Sequence, residues 1–185
     1  MPIAAYSKPE LRSFKPERKS FPSIKRNPIY IVLDSLKSAH NIGTIFRLAD
    51  ALLVEKLFLC GNTILPPNAK IKRSSRGAER WVSWAYCHNV TAIIRDIKSK
   101  GVQIVSAELA EKSIPYTNLK PSFPICLVLG REFDGVSPDV LELSDVIVKL
   151  PMFGMSNSLN VALTASVLLY KFVEGIEPKP QGSAS

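Results

Sequence analysis

The sequence predicts an α/β domain with a mostly parallel sheet flanked by helices. Three observations carry this. Runs such as "IYIVLD" (Ile29 to Asp34) and "ICLVLG" (Ile125 to Gly130) are continuously apolar, as in strands covered on both faces. Segments with apolar residues at helical spacing stand between such runs. Glycine or proline punctuates many of the ends.

Taken in order, Ile29 to Asp34 is the first strand, and Asn41 to Leu53 is a helix by its apolar spacing. "KLFLCG" (Lys56 to Gly61) is a strand stopped by glycine, and Asn62 to Arg80 reads as a long basic loop. "WVSWAYC" is strand-like, and Val90 to Lys100 is an amphipathic helix closed by Gly101. "VQIVSAEL" and "ICLVLG" are further strands, Pro138 opens a short helix, and "DVIVKLP" is the last strand. The final helix spans roughly Leu159 to Val173. Charge is absent from Leu150 to Tyr170, but Pro151, Gly154, Asn157, Ser158 and Asn160 crowd the first half of that run. The helical remainder is too short to span a bilayer and reads as a buried core helix.

Before this domain (29–175) lies a basic, proline-containing arm (1–28), carrying Lys8, Arg12, Lys15, Arg18, Lys19, Lys25 and Arg26 against Glu10 and Glu17. It is read as extended, and residues 176–185 as a flexible tail. The 185 residues suffice for one domain with a core. A hydrophobic content of 46% fits a globular chain, and a net charge of +8 favours an anionic partner. The three cysteines are far apart and show no metal-ligand spacing. Cys60 and Cys126 read as buried thiols in a reducing compartment, His40 and His88 are isolated, and no metal is expected. The N-terminus lacks an apolar signal core, so a cytoplasmic location is expected.

Ligands of open α/β sheets bind beyond the carboxyl ends of the strands, and three clusters fall there. "HNIGTIFRLADA" follows the first strand, with Asn41 able to cap a helix, Gly43 permitting close approach, and Arg47 one or two turns on. "LVLGREFDGVS" follows "ICLVL", with Gly130 and Gly135 bracketing Glu132, a carboxylate placed to orient an arginine. "LPMFGMSNSLNV" precedes the last helix, where Asn157 or Ser158 is expected to act as cap. No dinucleotide fingerprint follows the first strand, and no Walker lysine motif is present, which argues against nicotinamide enzymes and P-loop NTPases.

In this order and spacing, the three clusters resemble the SpoU (TrmH) branch of the SPOUT superfamily, the RNA ribose 2′-O-methyltransferases. The likeness runs from Asn27 to Glu174. It implies a sheet whose C-terminal part is tied into a deep trefoil knot, with S-adenosylmethionine (AdoMet) bent inside it. By position, Gly130, Leu150, Met152 and Leu159 would hold the cofactor. Asn41, Arg47, Glu132, Ser158 and Asn160 would form the catalytic set, and the active site would be built at the interface of a homodimer. Arg47 would serve either as base or, because guanidinium stays protonated below about pH 12, as holder of the adjacent phosphate and stabiliser of developing alkoxide. In the second role the phosphate or water takes the proton.

Lys70, Lys72, Arg73, Arg76 and Arg80, with the basic arm, suggest a phosphate track. Trp81 and Trp84 read as core packing, with base stacking as the alternative. "KRSSRGAERWVSW" resembles the corresponding loop of tRNA guanosine-18 methyltransferases more than that of the rRNA enzymes, so tRNA is the favoured substrate. The alternatives are an rRNA methyltransferase, a non-catalytic RNA-binding SPOUT protein and a small-molecule methyltransferase.

Overall fold

The computed structural model describes residues 5–13, 24–174 and 176. The chain folds into α1 (Lys8–Ser13), β1 (Asn27–Asp34), α2 (Ala39–Ala51), β2 (Val54–Cys60), α3 (Ala69–Ser75), β3 (Trp84–Cys87), α4 (Val90–Ser99), β4 (Gln103–Ala107), β5 (Ile114–Pro115), β6 (Ile125–Leu129), α5 (Pro138–Leu143), β7 (Val146–Lys149) and α6 (Val161–Val173). The strands form one seven-stranded sheet in the order β3-β2-β1-β6-β4-β7-β5, and every pair in it is parallel.

Alternation along each strand sends side chains to two covered faces. Ile29, Ile31 and Leu33 of β1 join Leu57, Leu59, Ile125, Leu127 and Val148 under α2, α3 and α6. Val32, Phe58, Cys60, Cys126 and Val128 face Ile94 and Ile97 of α4 and Val140 of α5. Cys60 and Cys126 are fully buried there, and that burial pushes both thiols well above their ordinary range.

The predicted fold class holds, with local differences. The arm is not wholly extended, because Ser7 and Glu10 clasp one another's backbone amides and open α1. The rest of the early arm (1–4 and 14–23) and nearly all of the tail lie outside the described residues. The first strand begins at Asn27, whose side chain donates to Leu52 O at 2.8 Å and whose amide bonds Leu53 O. The basic segment 62–80 is not a loop throughout. Asn68 caps α3 by accepting from the amides of Lys70 and Ile71, and a further 3-10 turn covers Ala78–Arg80. Trp81 donates to Asp50 Oδ1 at 2.8 Å, and Trp84 meets Phe46 edge-on at 6.3 Å, so both tryptophans are packing residues.

Helix α6 starts at Val161 and buries Ala162, Ala165, Leu168, Leu169 and Phe172, as a core helix should. Among the described residues, no helix is long and apolar enough to cross a membrane.

Gly43 lies inside α2 and marks its contact with α3. A Cβ built there would sit 2.0 Å from Ser74 Oγ and 2.6 Å from Ile71 O. The hydroxyl can swing away, but the backbone carbonyl can move only if α3 moves. Gly43→Val is therefore expected to cost about 1–3 kcal/mol through overpacking, seen as a lower urea midpoint at unchanged slope.

Candidate active site

Because all strands run one way, the turns after β1, β4, β6 and β7 leave the same edge of the sheet. The turn after β1 leads to Ser38, which caps α2 by accepting from Asn41 N at 3.3 Å. Asn41 is thus the third residue of α2 rather than its cap, and its side chain is buried. Its carbonyl oxygen accepts from Asn160 Nδ2 at 3.0 Å, while its Nδ2 donates to Glu132 Oε1 at 3.5 Å.

Asn160 in turn caps α6, accepting from Ala162 N at 2.9 Å. This corrects the expectation that Asn157 or Ser158 would be the cap. These bonds form a chain with only one consistent direction. The Ala162 amide must donate, so Asn160 presents its NH₂ to Asn41, which then presents its own NH₂ to a carboxylate.

Glu132 is where this chain ends. Its carboxylate also accepts from the amides of Lys37 at 3.2 Å and Ser38 at 3.0 Å, at the mouth of α2. Burial tends to raise its pKa. The amides of Lys37, Glu132 and Ser38 and the Asn41 side chain outweigh that, and the net shift is downward. The expected pairing of Glu132 with Arg47 is not formed. Arg47 is exposed and makes no hydrogen bond or ion pair among the described residues. Six residues beyond Asn41, it lies about 120° around the helix from it. Glu132 orients the start of α2 instead.

The loop bearing Glu132 is closed tightly. Arg131 and Gly135 exchange two backbone hydrogen bonds of 3.0 Å. A Cβ on Gly130 would lie 2.1 Å from Gly135 C, so only glycine allows that approach. Gly135 itself sits at φ +66°, in the left-handed region. Glu108, just after β4, accepts from Val136 N at 2.7 Å and ties this loop to a third strand end. Sequence reasoning passed over Glu108, Lys37 and Ser38. The spacing of Ser38 before the α2 pattern was a usable cap signal, whereas nothing local marks Glu108.

The loop after β7 leaves Leu150 and Met152 half-buried and Leu159 40% exposed. Ser158 is exposed and without a hydrogen bond among the described residues. Asn41, Glu132 and Asn160 are therefore brought together in one chain. Arg47 and Ser158 are not joined to them.

The parallel sheet, with three loops clasped at its carboxyl edge, has the architecture of the SPOUT methyltransferases. The chain belongs to the SpoU rRNA Methylase family, whose model matches residues 28–170. A tRNA (guanosine(18)-2'-O)-methyltransferase of Aquifex aeolicus is 31% identical over 148 residues, covering 80% of this chain and 69% of that one. An AdoMet-bound rRNA methyltransferase from Sinorhizobium meliloti superposes with a TM-score of 0.77 at 27% identity, over 85% of this chain and 61% of that one. A TrmH/SpoU tRNA-modifying enzyme of A. aeolicus superposes at 0.73 with 30% identity, over 82% of this chain and 78% of that one. The chain thus spans about two thirds of the length of such relatives.

The lowered pKa of Glu132 has a signed consequence. Its bonds to the α2 amides are complete above the ordinary glutamate value of 4.5 and are lost as pH falls through the depressed folded value. The Lys37 and Ser38 amide proton shifts should titrate together with a midpoint below 4.5, and Glu132→Gln should abolish that titration. A midpoint at or above 4.5 would contradict the clasp.

Proposed function

We propose that the chain is an AdoMet-dependent RNA 2′-O-ribose methyltransferase acting on tRNA. The observation that carries this reading is the directed hydrogen-bond chain from Ala162 through Asn160 and Asn41 to Glu132. It joins the three motif segments at one sheet edge. The relatives support the substrate class, since they act on tRNA or rRNA, and one of them binds AdoMet.

The residues present fit that cofactor. A sulfonium nucleoside needs apolar contact for its base and backbone groups for its polar edges. The loops after β6 and β7 leave the same sheet edge, one supplying the close backbone approach at Gly130 and the other partly uncovered Leu150, Met152 and Leu159. Gly130, Leu150, Met152 and Leu159 hold the cofactor in this account, within a C-terminal trefoil knot. When bound, it supplies an electrophilic methyl group.

The chain's own residues do the rest. Asn160 and Asn41 fix the geometry between the α6 and α2 mouths, and Glu132 holds α2 in place. Ser158, exposed beside Asn160, meets the ribose. Arg47 holds the phosphate next to the reacting hydroxyl and stabilises its developing negative charge. The proton leaves to that phosphate or to water. Since Arg47 projects away from Glu132 within one chain, a homodimer in which a second copy contributes Arg47 completes the site. Exposed Leu163 (56%) and Tyr170 (57%) on α6 suit burial there.

The methyltransferase domain is residues 29–175. The basic arm 1–28 and exposed Lys70, Lys72, Arg73, Arg76 and Arg80 attract the RNA backbone, and the protein works in the cytoplasm. An rRNA substrate is the second reading, favoured by the overlap with the S. meliloti enzyme.

The test is incubation with labelled AdoMet and separate tRNA and rRNA pools, followed by digestion to nucleosides. Label in a 2′-O-methylated nucleoside from tRNA is expected, and label only in methylated bases would overturn the reading. Tight RNA binding with no label in any pool would instead support a non-catalytic RNA-binding protein. Arg47→Ala should lower turnover by at least ~10²-fold while leaving AdoMet affinity, measured by calorimetry, near wild type. A fully active variant would remove Arg47 from the site. Arg47→Lys should be nearly as poor if the planar fork positions phosphate, and should recover at high pH if Arg47 acts as base.

A further inference from the structure

Phe133 stands at the tip of the loop that carries Glu132, and its side chain is wholly exposed, at 101%. Among the described residues, nothing covers the phenyl ring. Nor is the ring on a slack segment. The Arg131–Gly135 backbone pair closes the loop beneath it. Glu132, its immediate neighbour, is bonded to the amides of Lys37 and Ser38. Glu108 holds Val136 on the far side. The ring is therefore presented in place, with much of the ordering cost of binding already met by the fold.

Its surroundings select the partner. The tip carries charges of both signs: Glu132 and Asp134 flank the ring in sequence, Arg131 pairs with Asp134 at 3.4 Å, and exposed Lys37 meets the loop through its amide on Glu132. A protein interface core depletes charge around its aromatic anchors. An aromatic ring rimmed by charge, on a chain of net charge +8, instead matches a nucleobase, whose π-face stacks while the phosphates are drawn to the basic surface. We propose that Phe133 is a stacking platform for an unpaired base of the RNA, next to the nucleotide whose ribose is methylated. This rests on the RNA methyltransferase reading above. It adds a binding contact outside the cofactor and catalytic sets, and one that acts on RNA capture rather than on methyl transfer.

The experiment uses the full-length protein with total tRNA and labelled AdoMet. A single-stranded oligoribonucleotide carrying one 2-aminopurine reports stacking by fluorescence quenching. Phe133→Ala and Phe133→Leu are expected to raise the KM for tRNA about tenfold or more and to lose most of the quenching. Turnover at saturating tRNA and AdoMet affinity should remain near wild type. Phe133→Trp, which keeps a π-face, should stay close to wild type in both readouts. The proposal is overturned if Leu serves as well as Phe, since apolar bulk rather than stacking would then suffice. An unchanged KM in the Ala variant also sinks it, as does conversion of that variant to a monomer in sedimentation velocity, which would assign Phe133 to a contact between copies. Each of these would leave the methyltransferase reading intact. A wild-type protein that neither binds nor methylates tRNA or rRNA would instead remove that reading and this one with it.

Discussion

One chain of side-chain hydrogen bonds organises this molecule's functional edge. Two helices, α2 and α6, begin side by side above the sheet, and each leaves unpaired amides at its mouth. Asn160 satisfies α6, Ser38 satisfies α2, and the Asn41 side chain spans the gap between them. The line ends on the Glu132 carboxylate, which also receives two backbone amides. A buried amide such as Asn41 is costly unless both its ends are paired. Here both are, so moving any one loop breaks a bond in another.

The sheet makes that clasp possible. An all-parallel sheet delivers β1, β4, β6 and β7 to the same edge, although β1 and β7 are separated in the sheet order by β6 and β4. Glycines then let the backbone approach where side chains would clash. Gly130 lies against Gly135, and Gly43 lets α3 pack against α2. The outside of this frame presents exposed cations on α3 and the exposed aromatic tip of the Glu132 loop, the surfaces we propose for RNA.

Much of this was legible in the sequence, for identifiable reasons. Apolar runs marked five of the seven strands, a mixed run marked β3, and the polar clusters after three strands marked the candidate site. What escaped reading was short or depended on spatial relations. β5 has two residues, and α3 has seven with one buried apolar residue, Ile71, too few to establish a period. The cap pattern at Ser7 and Glu10 was present but lay inside a segment dominated by charge and proline. Glu132 was expected beside Arg47, and the structure gives it the amides of Lys37 and Ser38 and the Asn41 side chain instead. Sequence spacing puts Arg47 near Asn41, yet helical geometry turns it to another face. Glu108 meets Val136 only through the fold, 28 residues apart.

The clasp is tested most directly by a double-mutant cycle on Asn41 and Asn160, reading AdoMet affinity by calorimetry and stability by urea unfolding. If their 3.0 Å bond joins the two helix mouths into one site, the double Ala variant should be little worse than the poorer single variant. That would leave a coupling of about 1 kcal/mol or more. Strictly additive losses would mean that the two residues act independently and that the site is held together by something else.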